Sequence, residues 1–252
     1  MIFKFIQIIG FLYLVLSCSH SQKIVTAKAE NISISKKIEP VKEIEETIKP
    51  YKVALDKTMN QVLSYSVDTY SKKNGDYNTA IGNLMADAVF ELTNPVFQSR
   101  TKKNIDIVLL NHGGIRSILP KGNVTTKTAY NLMPFENSVV VTALKGSVVL
   151  EMTEFLENAK KAHPISGLEL VLNANNSYHK ILVGGKAVEL SKTYYVATND
   201  YLYNGGDRMD FFKKSDTLYD LNYKIRNVLL DYFSKNDTLN PTIDQRFIKL
   251  KN

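Results

Sequence analysis

The sequence predicts an α+β fold, mixed sheets with packed helices, and three patterns carry that reading. Apolar residues recur at helical spacing in several segments, most clearly at Ile81, Leu84, Met85, Ala88, Val89 and Leu92. Short runs rich in β-branched residues, such as Ile105 to Leu110 (IDIVLL), have the length and composition of buried strands. The two kinds of segment follow one another without the regular alternation of a doubly wound parallel sheet. A chain of 252 residues, 44% of them hydrophobic, can bury the core of one such domain with appendages.

The first residues stand apart from this fold. Residues 1–17 read as a signal peptide: Lys4 precedes a nearly unbroken apolar run from Phe5 to Leu16, which is too short to span a bilayer. Cys18, the only cysteine, follows Val15-Leu16-Ser17 and has no internal disulfide partner. This stretch resembles a bacterial lipobox, which implies cleavage before Cys18 and acylation of its thiol; an ordinary signal peptide with an incidental cysteine is the alternative. Acyl chains anchor by burying methylenes at about 0.8 kcal/mol each, so no transmembrane helix is needed. The expectation is an exported, membrane-anchored lipoprotein of the bacterial cell envelope, on the periplasmic side or the cell surface. Residues 18–40 are a lipidated cysteine and a polar tether that ends at Pro40, and residues 41–252 form the domain.

Within the domain, the spacing of Ile44, Ile48, Val53, Leu55, Met59, Val62 and Leu63 predicts helical structure from Val41 to about Tyr70, broken at Lys49-Pro50. Asn78-Thr79 offers a cap for the helix carrying Ile81 to Leu92, which is expected to end near Asn94-Pro95. The strand Ile105 to Leu110 runs into the loop Asn111 to Arg116. Gly122 to Thr126 leads into a short helix over Ala129 to Met133, stopped by Pro134. Ser138 to Leu144 reads as a strand and Ser147 to Ala159 as a helix. Leu168 to Leu172, His179 to Val183 and Tyr194 to Asn199 are further strands, with a hairpin turn at Gly184-Gly185, and a last helix covers Asn222 to Phe233.

Lysine and arginine number 32 against 25 acids, a formal net charge of +7 that suits an anionic ligand, nucleic acid or a lipid surface, or is a solvated lysine-rich exterior. No arginine-rich block or interleaved aromatic-basic stretch supports nucleic acid. Three loops hold the chemical interest. Asn111-His112-Gly113-Gly114-Ile115-Arg116 joins bare backbone to an amide and a planar guanidinium suited to phosphate or carboxylate. Tyr201-Leu202-Tyr203-Asn204-Gly205-Gly206-Asp207 repeats the design with the opposite charge. Leu132-Met133-Pro134-Phe135 places an aromatic ring just past a helix stop. Each loop alone also reads as an ordinary glycine turn, or as a core phenylalanine; two glycine pairs of complementary charge with an aromatic between them favour a ligand site.

Five motifs, in order, make the chain recognisable. They are Gly82-Asn83-Leu84-Met85-Ala86-Asp87-Ala88, Asn111-x-Gly113-Gly114-Ile115-Arg116, Gly122-x-Val124-Thr125, Leu132-Met133-Pro134-Phe135 and Tyr201-Leu202-x-Asn204-Gly205-Gly206-Asp207. From about Ile44 to Phe233 the sequence resembles the C-terminal, substrate-binding domain of the 5'-nucleotidase and UDP-sugar hydrolase family. The resemblance implies that Phe135 and Tyr201 sandwich a nucleotide base, Tyr201 standing where phenylalanine is usual. It implies further that Asp207 accepts from ribose hydroxyls, Asn111 meets the base edge and Arg116 reaches phosphate. Gly113, Gly114, Asn204 and Gly206 complete the expected substrate site.

Two departures shape the functional expectation. An arginine usual before the Gly-Asn-Leu motif is absent, and Lys72 or Lys73 stands nearby only as a point charge. Hydrolysis in the family uses two metal ions held by an N-terminal metallophosphatase domain. The stretch before Ile44 is too short for one, and the four histidines, His20, His112, His163 and His179, are scattered singly. No catalytic or metal-binding residue and no cofactor is therefore expected in this chain, the divalent metals belonging to a separate metallophosphatase partner. The expected ligand is a nucleotide or nucleoside, bound for hydrolysis with that partner. A non-catalytic lipoprotein that binds nucleosides or nucleotides for uptake or sensing is the alternative.

Overall fold

A computed structural model describes residues 29–35, 38–215 and 217–251, and the chain divides into two units, residues 1–48 and 49–252. The expected signal peptide, Cys18 and His20 lie outside the described residues. Among the described residues no helix is long and apolar enough to cross a membrane.

Helix α1 (Lys42–Met59) carries Pro50 inside it and buries none of its residues. The break expected at Lys49-Pro50 does not occur, because an exposed proline removes one backbone donor and water satisfies the carbonyl it frees. Val62 and Leu63, expected to continue the helix, instead begin strand β1 (Val62–Ser66). That strand is fixed by partners far away in sequence. It runs antiparallel to β3 (Gly122–Thr125) and parallel to β11 (Thr238–Leu239), forming a three-stranded sheet.

A five-stranded sheet organises residues 49–252. Its order is β10 (Leu218–Lys224), β4 (Ser138–Lys145), β9 (Thr193–Asn199), β2 (Ile107–Leu109) and β5 (Ile165–Ser166). Only the β2–β9 pair is parallel, so the sheet is mixed as expected. Successive residues face opposite sides. Val108, Val139, Val141 and Ala197 pack with Ile81, Met85 and Val89 of α2 (Ala80–Thr101) and with Val228, Leu229 and Phe233 of α6 (Ile225–Lys235). Ile107, Leu109, Leu144 and Val196 pack on the other face with Val149, Met152 and Leu156 of α4 (Gly146–Ala159). Each fully buried aliphatic side chain contributes about 1.5–3 kcal/mol, so two helices and one helix on opposite faces hold the sheet firmly.

Helix α2 starts where expected: Thr79 Oγ1 accepts from the Gly82 amide at 3.2 Å. It does not stop at Pro95. Phe97 is fully buried against Tyr195 and Tyr219, with ring centroids 5.4 and 5.3 Å apart, and this packing carries the helix on until Lys102, at φ +62°, closes it. The short helix after β3 is α3 (Thr126–Leu132), capped reciprocally by Thr125 and Thr128. The remaining sheet is β12 (Phe247–Lys249), β6 (Leu168–Leu172), β7 (Tyr178–Val183) and β8 (Lys186–Ala187), with the expected turn at Gly184-Gly185 between β7 and β8. The helix expected from Asn222 begins at Ile225; the residues before it form β10, bulged near Asn222 at φ +53°.

Candidate functional site

Sheet topology brings the three loops together. Strands β2 and β9 are parallel neighbours, with Ile107 beside Val196 and Val108 beside Ala197, so the loops after them leave the same edge of the sheet. Strand β4 is antiparallel to β9, and its start, Val139, lies beside Asn199 at the end of β9. The segment before β4, which carries Phe135, therefore reaches the same edge. A buried hydrogen bond from Thr198 Oγ1 to the Leu109 carbonyl, 2.8 Å, ties the two parallel strands just below it.

There Asn111, Gly113, Gly114, Arg116, Phe135, Asn137, Tyr201 and Asp207 line a cleft of about 390 Å³. Seven of the nine residues expected to bind substrate are among them. Asn204 and Gly206 are not. The Asn204 side chain donates to the Asp200 carbonyl at 2.7 Å and finishes the short helix α5 (Asp200–Tyr203). Gly206 lies so close to the Tyr201 ring that a Cβ would overlap it. Asn137 was not expected in the site; it sits two residues past Phe135 and donates to Asp200 Oδ1 at 2.8 Å, which its place beside an aromatic in the Leu-Met-Pro-Phe loop could have signalled.

Each side chain is held in place. Tyr201 rides on α5, which Asn199 caps by accepting from the Leu202 amide at 2.8 Å. Asp207 Oδ2 accepts from the Asn111 side-chain amide at 2.8 Å, and Oδ1 accepts from the Tyr201 hydroxyl at 3.0 Å. Phe135 and Tyr201 remain 41% and 46% exposed, so both rings keep faces open to a ligand. The Arg116 guanidinium lies 5.8 Å from the Phe135 ring centroid and makes one long bond, 3.4 Å, to the Gly113 carbonyl.

The loops are braced from behind. Lys72 donates to the carbonyls of Ile115 at 2.7 Å and His112 at 3.4 Å, so it anchors the Asn111 loop and does not face the cleft as a spare phosphate-binding cation. Burial, and then the charge of Arg116, push its ammonium below the ordinary range. The buried Arg226 donates to the Pro134 carbonyl at 3.2 Å, to the Phe135 carbonyl at 3.5 Å and to Glu136. Hydrogen bonds from Lys224 and Arg226 hold the Glu136 carboxyl at about 2. Arg226 belongs to α6, far along the chain, and no local signal marks it.

His112 makes no metal site with its neighbours. Its Nδ1 bonds to the Ala162 carbonyl at 3.1 Å, and among the described residues no group of three His, Cys, Asp or Glu side chains is placed to hold a metal ion.

The 5'-nucleotidase C-terminal domain model matches residues 55–214, more than half of the chain. A trifunctional nucleotide phosphoesterase protein, YfkN, of Bacillus subtilis strain 168 is 27% identical over an alignment of 222 residues that covers 81% of this chain and 15% of that protein. A 5'-nucleotidase of Vibrio vulnificus is 24% identical over 226 residues, 85% of this chain and 38% of that one. The crystal structure of a 5'-nucleotidase precursor from Thermus thermophilus superposes with a TM-score of 0.69 at 24% identity, over 82% of this chain and 43% of that one. The chain thus spans less than half of each of these proteins, and it belongs to the 5'-nucleotidase C-terminal domain family.

Proposed function

We propose that this chain binds the nucleoside part of a nucleotide in the cleft between Phe135 and Tyr201 and presents it for hydrolysis by a metallophosphatase on a separate chain. One observation carries the reading: two half-exposed aromatic rings from different loops line one cleft with a fixed carboxylate and an under-used guanidinium. Stacking on such rings is worth about 1–3 kcal/mol per base and tolerates any base. Asp207, with one donor on each oxygen, keeps lone pairs for vicinal ribose hydroxyls. Asn111 is fixed by Asp207 with its own carbonyl oxygen left as an acceptor for a base edge. Arg116 has enough free N–H groups for a forked contact with phosphate.

The metal ions that activate water and stabilise the phosphoryl transition state are supplied by the partner in this proposal. Acylation of Cys18 holds the chain in the bacterial cell envelope. Co-tethering on one membrane restores part of the effective concentration, of the order of millimolar, that a covalent linker between domains supplies.

The test is calorimetric titration of the chain with adenosine and AMP, repeated on Phe135→Ala and Tyr201→Ala. Both ligands are expected to bind, AMP more tightly, with each substitution weakening binding about 10- to 100-fold. Unchanged affinity in both variants would refute the cleft as the nucleoside site. Binding that never stimulates a metallophosphatase encoded with this chain would favour capture for uptake or sensing.

A further inference from the structure

A second cavity, about 430 Å³, adjoins the first, and Gly113 and Asp207 line both. Its other walls include His112, Lys161 and Arg208, above the apolar Phe155 and Ala159. The backbone between the two cavities is unusual. Asp207 and Arg208 are consecutive non-glycine residues at φ +51° and +63°, a conformation that costs about 1–2 kcal/mol per residue. This turn sends the two charges to different places. The Asp207 carboxylate is bound by Asn111 and Tyr201, whereas the exposed Arg208 guanidinium has no side-chain hydrogen bond or ion pair among the described residues. The Lys161 ammonium is likewise exposed and unpaired among them.

His112 supplies a third kind of group. Its Nδ1 is engaged by a carbonyl, so Nδ1 carries the proton of the neutral ring and Nε2 is an acceptor. His163 also lines the cavity, with its Nδ1 taken up in accepting from the His112 amide at 3.3 Å. Two unpaired cations and one imidazole acceptor match a phosphate group: its anionic oxygens meet Lys161 and Arg208, and a P–O–H, present on doubly charged free hydrogen phosphate and on the singly charged form of a terminal phosphoryl group, donates to Nε2.

From this geometry we propose that the cavity lined by His112, Lys161 and Arg208 is a phosphate subsite, separate from Arg116 and divided from the nucleoside cleft by Gly113 and Asp207. Its occupant is either free hydrogen phosphate or the terminal phosphoryl group of a ligand seated in the cleft. Binding of free phosphate does not depend on the function proposed above, whereas the second occupant rests on that reading because it needs a nucleoside in the cleft.

Calorimetric titration of the full chain with inorganic phosphate, against chloride at matched ionic strength, tests it. Arg208→Asn keeps a residue that tolerates the left-handed turn, and Lys161→Ala changes an exposed loop position. Each is expected to weaken phosphate binding at least tenfold while leaving adenosine affinity within twofold, which also reports that the fold is intact. Simultaneous binding of adenosine and phosphate assigns free phosphate. A gain in affinity from adenosine to ADP that Arg208→Asn abolishes assigns the ligand's own phosphoryl group. No phosphate binding to the unmodified chain, or equal binding to both variants, would overturn the subsite, whatever adenosine does.

Discussion

Arg246 and Arg116 put the same side chain to opposite uses. Arg246, in the C-terminal segment, is 17% exposed and donates to both oxygens of Asp87 and of Asp244 and to the Ile165 carbonyl, so every N–H is taken. Arg116 is exposed at a cleft and makes a single long bond to its own loop. The first guanidinium ties α2 to the chain after β11; the second is held ready. A satisfied polar network fixes structure, whereas an under-satisfied one beside open aromatic faces signals a ligand.

That contrast orders the expected effects. The largest belongs to the closed network: Arg246→Ala leaves two carboxylates facing each other and should cost about 3 kcal/mol, less than a fully buried pair because both acids are partly exposed. A fall in melting temperature of roughly 6–12 °C with little change in adenosine affinity is the expected result, and scanning calorimetry reads it.

Acid should loosen the floor behind the open site next. Burial first, then His112, hold the His163 imidazole at about 4 instead of its ordinary 6.5. The unfolded chain therefore takes up a proton below about pH 6.5 and the folded chain does not until about 4. Stability from this group is complete above 6.5 and is lost as pH falls toward 4, by up to about 1.4 kcal/mol per pH unit. Denaturant melts at pH 7 and 4.5 should show that difference, reduced in His163→Asn.

Gly206→Ala sharpens the contrast from the open side. The new methyl would overlap the Tyr201 ring, which must swing away. Adenosine affinity is expected to fall about tenfold, ~1.4 kcal/mol, with thermal stability almost unchanged because that ring is half exposed. The smallest effect is Tyr201→Phe, which keeps the stacking face and removes one donor to Asp207. A loss of about threefold in adenosine affinity, ~0.6 kcal/mol, is the expected reading in the same titration.

Much of the cleft was legible in the sequence because its chemistry is local. Glycines beside Asn111 and Arg116, and beside Asp207, mark loops that must come close to something, and Phe135 follows a helix stop. The roles were less legible. Gly206 makes room for Tyr201, and Asn204 closes α5 without lining the cleft. Lys72 and Arg226 brace the loops through carbonyls, contacts that leave no periodic trace. The same limit applies to the fold. The short, mostly apolar runs of β4, β6 and β9 are buried in two sheets and could be read directly. Strands β10, β11 and β12 are edge segments and β1 is the centre of a small sheet, all defined by partners distant in the chain, as Val62–Ser66 is by Thr238–Leu239, and Pro95 is overruled by the packing of Phe97. Where distant pairing decides the conformation, local spacing misleads.

The most direct measurement is a crystal structure of this chain with AMP. The base is expected against the faces of Phe135 and Tyr201, the ribose hydroxyls on Asp207 and the phosphate within hydrogen-bond reach of Arg116. A base bound away from those two rings, with the cleft left to solvent, would contradict that placement.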